Sequence, residues 1–493
     1  MAFTREINRL MFGLLLAFFA IVGSASYWAV VGADSILLRD DNPRLVEAEI
    51  AIQRGSIYDA DNHVLAESVL VDEQTVRQYP HEAMNSIVGY FSFRYGVAGA
   101  EAAYNDYLRG EVDSDPLATI IEQNVLHLPA QGADVRLTLD LDVQEAIADA
   151  LSGRTGAVVV LSVPDGAVLG MMSLPTYDPN TLDAEWDNLI VQEGDLFFNR
   201  ALQGQYQPGG MLQTPLMVAG ILTDQPFDVL TADANRPLMI DDRTLTCAVE
   251  PPQPDLTYSQ AYAYGCPVPF SLLANDINPT SLQNIVSAFR LDAQPTLAGF
   301  IVEPETTDKI SSSATEEATP ESTPTVDANQ PTLSLVEDLV GQGDLTINPL
   351  NMATVASAVI NAGNAPQPFA LNAYRLPEAP ENAWITVDAD LPTQPLMTAT
   401  AARRLRQLML SNVEIDDSAS VLASSASITI GGHTALAVSG DETQAWFIGF
   451  TTVAENRGIA IAVVLENTDD ASEAARIGGL ILESTVDATA SQE

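Results

Sequence analysis

Few side chains in this 493-residue sequence could carry acid–base or nucleophilic chemistry. Lysine occurs once, as Lys309, and arginine supplies the rest of the side-chain positive charge. Arginine stays protonated at working pH, so it cannot serve as a neutral amine base. The four histidines, His63, His81, His127 and His433, are scattered without ligand spacing, so neither a metal site nor a cofactor is expected. Cys247 and Cys266 allow two main readings, a disulfide or two buried thiols. A disulfide closing that loop would contribute roughly 3 kcal/mol in an oxidising compartment. As a third reading Cys266 is a nucleophile, although no base lies near it in sequence.

Composition narrows the function classes. A formal net charge of -45 and a sequence pI of about 4.1 argue against nucleic acid and against adhesion to an anionic lipid surface. The chain is long enough for two or three domains, and 47% hydrophobic content is ample for a core. Arg5 and Arg9 precede an uncharged run from Leu10 to Ala33. As a helix that run is long enough to cross a hydrocarbon layer of about 30 Å. This predicts residues 1–9 in the cytoplasm, a single membrane span over 10–33, and everything after it outside. A cleaved signal ending at Val31-Gly32-Ala33 is the alternative.

The elements that must position any site follow in order. Gln53 to Ala66 reads as strand, turn, strand, with Asp59-Ala60-Asp61-Asn62 as the turn. From Val135 a strand enters a helix, and Gly156 to Met172 forms a hairpin through Pro164-Asp165-Gly166. Residues 302–333 are rich in Glu, Thr, Ser and Pro and poor in aliphatic side chains, which predicts a disordered acidic insertion that includes Lys309. At the end, Gln444–Phe450 and Gly458–Glu466 read as strands, and Ser472–Glu483 as an amphipathic helix.

Several of these stretches resemble class B penicillin-binding proteins. Arg54-Gly55-Ser56-Ile57-Tyr58-Asp59 through Leu65-Ala66 is similar to the opening segment of that family, departing only at Ala60, Asp61 and Asn62. Arg77, Tyr79-Pro80, Gly89-Tyr90, Gly99, Glu101 and Tyr104 look like its pedestal, and read as scaffold. Gly341-Gln342-Gly343, the run from Asn348 to Ala353, and Trp446-Phe447-Ile448-Gly449 look like later family motifs, with Asn348 and Asn351 in place of Thr and Gln. The resemblance implies a mixed α/β architecture. A membrane anchor is followed by a mainly β pedestal domain over 34–134. A transpeptidase-like domain over 135–493 then has an antiparallel five-stranded sheet flanked by helices, as in serine β-lactamases.

Active members of that family join peptidoglycan peptides through a serine acyl-enzyme, using three elements. The first is Ser-x-x-Lys at the start of a helix, after a stretch like Asn199-Arg200-Ala201 through Tyr206-Gln207-Pro208-Gly209. Here its serine position reads Gly210 and its lysine position Gln213, so neither nucleophile nor base is present. The second, Ser-x-Asn, best fits Gly265-Cys266-Pro267. The third, Lys-Thr-Gly, reads His433-Thr434-Ala435. His433 and Thr434 are the candidates for a residual contact to a carboxylate ligand. The resemblance together with these losses predicts a catalytically silent scaffold or regulator of cell-wall assembly. Its expected partners are the cytoplasmic membrane, through the single anchor, and other cell-wall synthesis proteins. The alternatives are a sensor of peptidoglycan peptides or β-lactams, and a transpeptidase with a non-standard nucleophile.

Overall fold

The computed structural model describes residues 2–27, 52–71, 74–112, 130–224, 227–240, 243–300, 333–377, 379–387, 391–440, 442–454 and 457–491. The expected insertion at 302–333 therefore falls, save for Leu333, outside the described residues. Helix α1 covers Ala2–Tyr27 and exposes Leu10, Phe12, Leu14, Phe18 and Ile21. Among the described residues no helix is long and apolar enough to cross a membrane. The span expected over 10–33 is thus not found as drawn: helix α1 begins before it, at Ala2, and ends at Tyr27, and residues 28–33 are not described.

The first half of the molecule is built on a six-stranded sheet. Strands β1 (Ile57–Tyr58), β2 (Val64–Val71) and β3 (Gln74–Gln78) form its outer part, and β4 (Asp134–Leu137) pairs parallel with β1. Asp59 sits in the β1–β2 turn, fully buried, and accepts from the amides of Asp61 and His63. Asn62 completes the turn at a φ of 70°, a conformation Asn tolerates well. A second cluster holds this half together. Glu101 is completely buried and accepts from Arg54 Nε and Arg77 Nε, each at 2.7 Å. Burial pushes its carboxyl up, but the two guanidiniums outweigh that and hold it below the usual carboxylate range.

The second half begins with helix α2 (Leu141–Leu151), capped by Asp140, whose side chain accepts from Val143 N. Strands β5 (Gly156–Val163) and β6 (Val168–Leu174) follow as the expected hairpin. After a connection that includes the helix Leu182–Leu189 comes helix α3 (Gln213–Leu222), led in by a 3₁₀ turn over Gly209–Leu212. Farther along the chain, with shorter elements between them, are helices α4 (Tyr258–Tyr264) and α5 (Pro349–Ile360). Strands β7 (Leu371–Arg375) and β8 (Ile385–Thr386) then return to the first sheet, giving the order β8-β7-β4-β1-β2-β3. The division drawn at 134/135 is therefore one of sequence and not of the sheet. Short strand β4 has one edge on β1, and β7 covers the other, with Arg375 Nη2 on Asp134 Oδ2 at 2.5 Å.

Helix α6 (Ala399–Glu414) leads to β9 (Ile430–Ser439), β10 (Glu442–Ala454) and β11 (Arg457–Leu465), and helix α7 (Ala471–Ser491) closes the chain. With the first hairpin these make a five-stranded antiparallel sheet in the order β9-β10-β11-β5-β6. Both faces are buried. Val158 and Val160 point to one face, with Ile477 and Ile481 of α7, and Val159 and Leu161 to the other, with Met352 and Ala356 of α5. That alternation is the strand period of two, and it explains why the run reads as uninterrupted apolar sequence.

Candidate functional site

The three family positions converge where the 3₁₀ turn before α3 meets strand β9. Gly210 lies in that turn and Gln213 opens α3. The stretch before them is tied to the end of β11: Arg200 Nε and the Tyr206 hydroxyl both donate to Glu466 Oε1, at 2.9 and 2.8 Å. The Tyr206 ring meets Trp446 edge-on at 5.6 Å. Asn348 accepts from Leu350 N at the start of α5 and donates to Leu202 O and Gly204 O. The Asn-Arg-Ala lead-in and the altered Asn348 are thus structural, and they fix the approach to Gly210.

His433 is fully buried in β9. Its ring stacks on Tyr262 of α4 at 3.9 Å and 12°, and Nε2 lies 3.1 Å from Gly210 O. Burial pushes its pKa down to about 4, so the ring is neutral at physiological pH. A neutral ring cannot supply the fixed positive charge that lysine brings to this position. Thr434, also fully buried, shares a hydrogen bond with Ser420 at 2.8 Å, and Tyr262 with Thr214 at 2.9 Å. Gln213, 2% exposed, donates through Nε2 to Cys266 O at 3.4 Å, while its Oε1 is buried without a partner.

At the second element, Gly265 ends α4 in the left-handed region at a φ of 62°. A Cβ there would lie 2.7 Å from Ala248 Cβ and 3.2 Å from Thr434 O. Pro267 starts the short helix Val268–Ser271. Cys266 is bonded to Cys247, 19 residues away, which takes its sulfur out of the running as a nucleophile. The bond holds Ala248 over Gly265, with Ala248 N donating to Tyr264 O.

Space is as informative as chemistry. A Cβ on Gly210 would stand 2.5 Å from the Cβ of Ala435, closer than two carbons can approach, whereas its backbone φ is unexceptional. Ala435 occupies the glycine position of Lys-Thr-Gly. The two losses therefore fit one another: the strand has moved its methyl group into the room a serine would need. A groove of about 880 Å³ opens nearby beside Gly204–Tyr206, but none of Gly210, Gln213, Gly265, Pro267, His433 and Thr434 lines it. The partners Tyr262, Ser420 and Ala248 were not legible in the sequence, since they belong to no motif and reach the site only through tertiary packing.

Comparison with known proteins places this geometry. The model of the penicillin-binding protein transpeptidase domain matches residues 156–483, and that of the penicillin-binding protein A dimerisation domain matches 54–135. The chain is 26% identical to the peptidoglycan D,D-transpeptidase PbpA of Mycolicibacterium smegmatis, over 94% of each protein. It is 24% identical to PbpA of Mycobacterium tuberculosis, over 94% of this chain and 95% of that one. Among solved structures, penicillin-binding protein A from M. tuberculosis, as its imipenem acyl-enzyme complex, superposes with a TM-score of 0.73 at 23% identity. That alignment covers 89% of this chain and 99% of the other. The transpeptidase domain of a peptidoglycan glycosyltransferase from Eggerthella lenta gives 0.67 at 23%, covering 88% and 98%. With two thirds of its length matched by the transpeptidase model and the fold shared over 89% of it, the chain belongs to the penicillin-binding protein transpeptidase family.

Proposed function

We propose that this protein serves peptidoglycan synthesis as a non-catalytic member of its family, a scaffold or regulator and not a transpeptidase. The observation that carries the reading is the pairing of Gly210 with Ala435. The nucleophile's position has no side chain, and the strand opposite has taken its space. Gln213 supplies no base, and Lys309, the single lysine, lies outside the described residues. Acyl transfer needs a nucleophile, a base that orients it and a place for the reacting carbonyl, and these residues supply none of the three.

The sensor reading is less well supported. His433 and Thr434, the groups that would hold a ligand carboxylate, are fully buried and engaged with Tyr262, Gly210 and Ser420. On the proposed reading the uncharged run 10–33, which α1 covers only in part, anchors the protein in the cytoplasmic membrane, with Arg5 and Arg9 on its inner side. The rest lies outside, where the Cys247–Cys266 bond is permitted, and meets other cell-wall synthesis proteins.

The test is labelling of the purified full-length protein with a fluorescent penicillin, read by gel fluorescence and intact mass. No covalent adduct is expected on the native chain, nor on Gly210→Ser/Gln213→Lys, whose new serine collides with Ala435. A stoichiometric adduct on the native chain would overturn the proposal, and the labelled peptide would name the nucleophile.

A further inference from the structure

We infer that one face of the molecule docks a basic amphipathic segment of a partner protein. The face is shared by the hairpin of strands Phe91–Ser92 and Gly96–Val97 and by the helix Leu182–Leu189. The inference rests on the scaffold reading and names the chemistry of what the scaffold holds.

The two elements come from opposite sides of 134/135 and are fastened together. Ser92 Oγ donates to Asp183 Oδ1 at 2.5 Å, and the rings of Tyr95 and Trp186 stack at 4.0 Å and 9°. Trp186 also meets Tyr90 and Phe197, at 6.4 and 5.1 Å. Ile190 N donates to Trp186 O, so Ile190 continues the helix and stands one turn beyond Trp186 on the same face. Phe93 lies in the hairpin turn, edge-on to Phe91. An apolar strip thus joins Phe93, Tyr95, Trp186 and Ile190. Phe93 is 50% exposed, Ile190 53% and its neighbour Val191 76%, while Tyr95 and Trp186 are half-buried. Single apolar side chains are ordinary on a surface, but a strip held by aromatic stacking and rimmed by charge marks a docking site. Rings already fixed lose little freedom on binding, which favours them as anchors.

The charge around the strip selects its occupant. From 178 to 199 the sequence has six acidic residues, Asp178, Asp183, Glu185, Asp187, Glu193 and Asp195, all exposed, and no Lys, Arg or His. Against them stands Arg94, whose guanidinium lies over the Tyr95 ring at 5.1 Å. This field repels anionic lipid, and it repels a second copy of a chain whose net charge is -45. It attracts Lys and Arg, and Arg94 shows that the Tyr95 ring accepts a cation on its face. A segment with apolar side chains for the strip and basic ones for the rim meets both requirements.

The experiment is fluorescence anisotropy of a labelled peptide of leucines and lysines at helical spacing. It is titrated with the full-length protein in phosphatidylcholine nanodiscs, with empty nanodiscs as the blank. Saturable binding above the blank is expected. Ile190→Asp should weaken it by roughly tenfold or more, because it removes an anchor. Attraction to the acidic surface alone would be kept or strengthened by the added negative charge, so the two causes give opposite signs. Leu230→Asp, at an exposed apolar position of another strand pair, should leave affinity unchanged. Should Ile190→Asp fail to fold, Phe93→Ser in the hairpin turn carries the test. No saturable binding, or an affinity in these variants equal to or above the native one, would overturn the inference. Sedimentation of the detergent-solubilised protein as a dimer that Ile190→Asp dissociates would assign the face to a second copy and overturn it also. A penicillin adduct would bring down the scaffold reading, whereas failure of the peptide alone leaves that reading standing.

Discussion

The contact between Gly210 and Ala435 makes a quantitative prediction about stability. Adding a serine at 210 places its Cβ 2.5 Å from the Ala435 Cβ and 3.4 Å from Gln213 Nε2. The backbone of Gly210 does not lie in the left-handed region, so space alone decides the cost. Ala435 sits mid-strand, with β10 paired to it through Trp446, and cannot retreat without disturbing that ladder. Overpacking of this kind destabilises by about 1–3 kcal/mol. Ala435→Gly alone removes one methyl group and loosens a strand interior, at about 0.5–1 kcal/mol. In the double variant Gly210→Ser/Ala435→Gly the offending carbon is gone. Its loss should therefore fall short of the sum of the singles by about 1–2 kcal/mol. The assay is a double-mutant cycle on the full-length protein by thermal unfolding. For the domain over 156–483, at about 2.1 cal/mol/K of unfolding entropy per residue, each kcal/mol corresponds to roughly 1–2 °C. If the two substitutions add within about 0.5 kcal/mol, the two positions are independent and the argument that they were lost together fails.

Other consequences are open to measurement. Glu101→Gln leaves Arg54 and Arg77 buried with no counter-charge and should cost about 3–5 kcal/mol; a fall in melting temperature of only a degree or two would refute the account of that cluster. His433 gives a pH signature. Its folded pKa of about 4 lies below the ordinary 6.5, so the unfolded chain binds the proton first as pH falls. Stability from this residue is complete above about 6.5 and is lost between there and about 4, by about 3 kcal/mol in all. His433→Asn should flatten that part of the stability–pH curve, and an unchanged slope would mean the histidine is not the group titrating.

The sequence by itself determined whatever is local. The absence of a nucleophile at Gly210 and of a base at Gln213 needs no coordinates. Turn chemistry at Asp59–Asn62 and Pro164-Asp165-Gly166, and the apolar run Ala157–Leu161, announced strands that the structure contains. Other features needed the folded chain, because they depend on approach between distant segments. His433 reaches Gly210 across 223 residues, and Arg54 reaches Glu101 across 47. Residues on both sides of 134/135 share one sheet, because the β4 edge takes its partner from residues 371–375, a pairing that no composition shift marks. The same limit hid the meaning of Ala435. In the sequence it is a glycine changed to alanine, a small substitution on a strand. Only in the folded protein does that methyl group stand where a serine side chain would have to be, because packing distances are set by which elements meet and not by the order in which they are written.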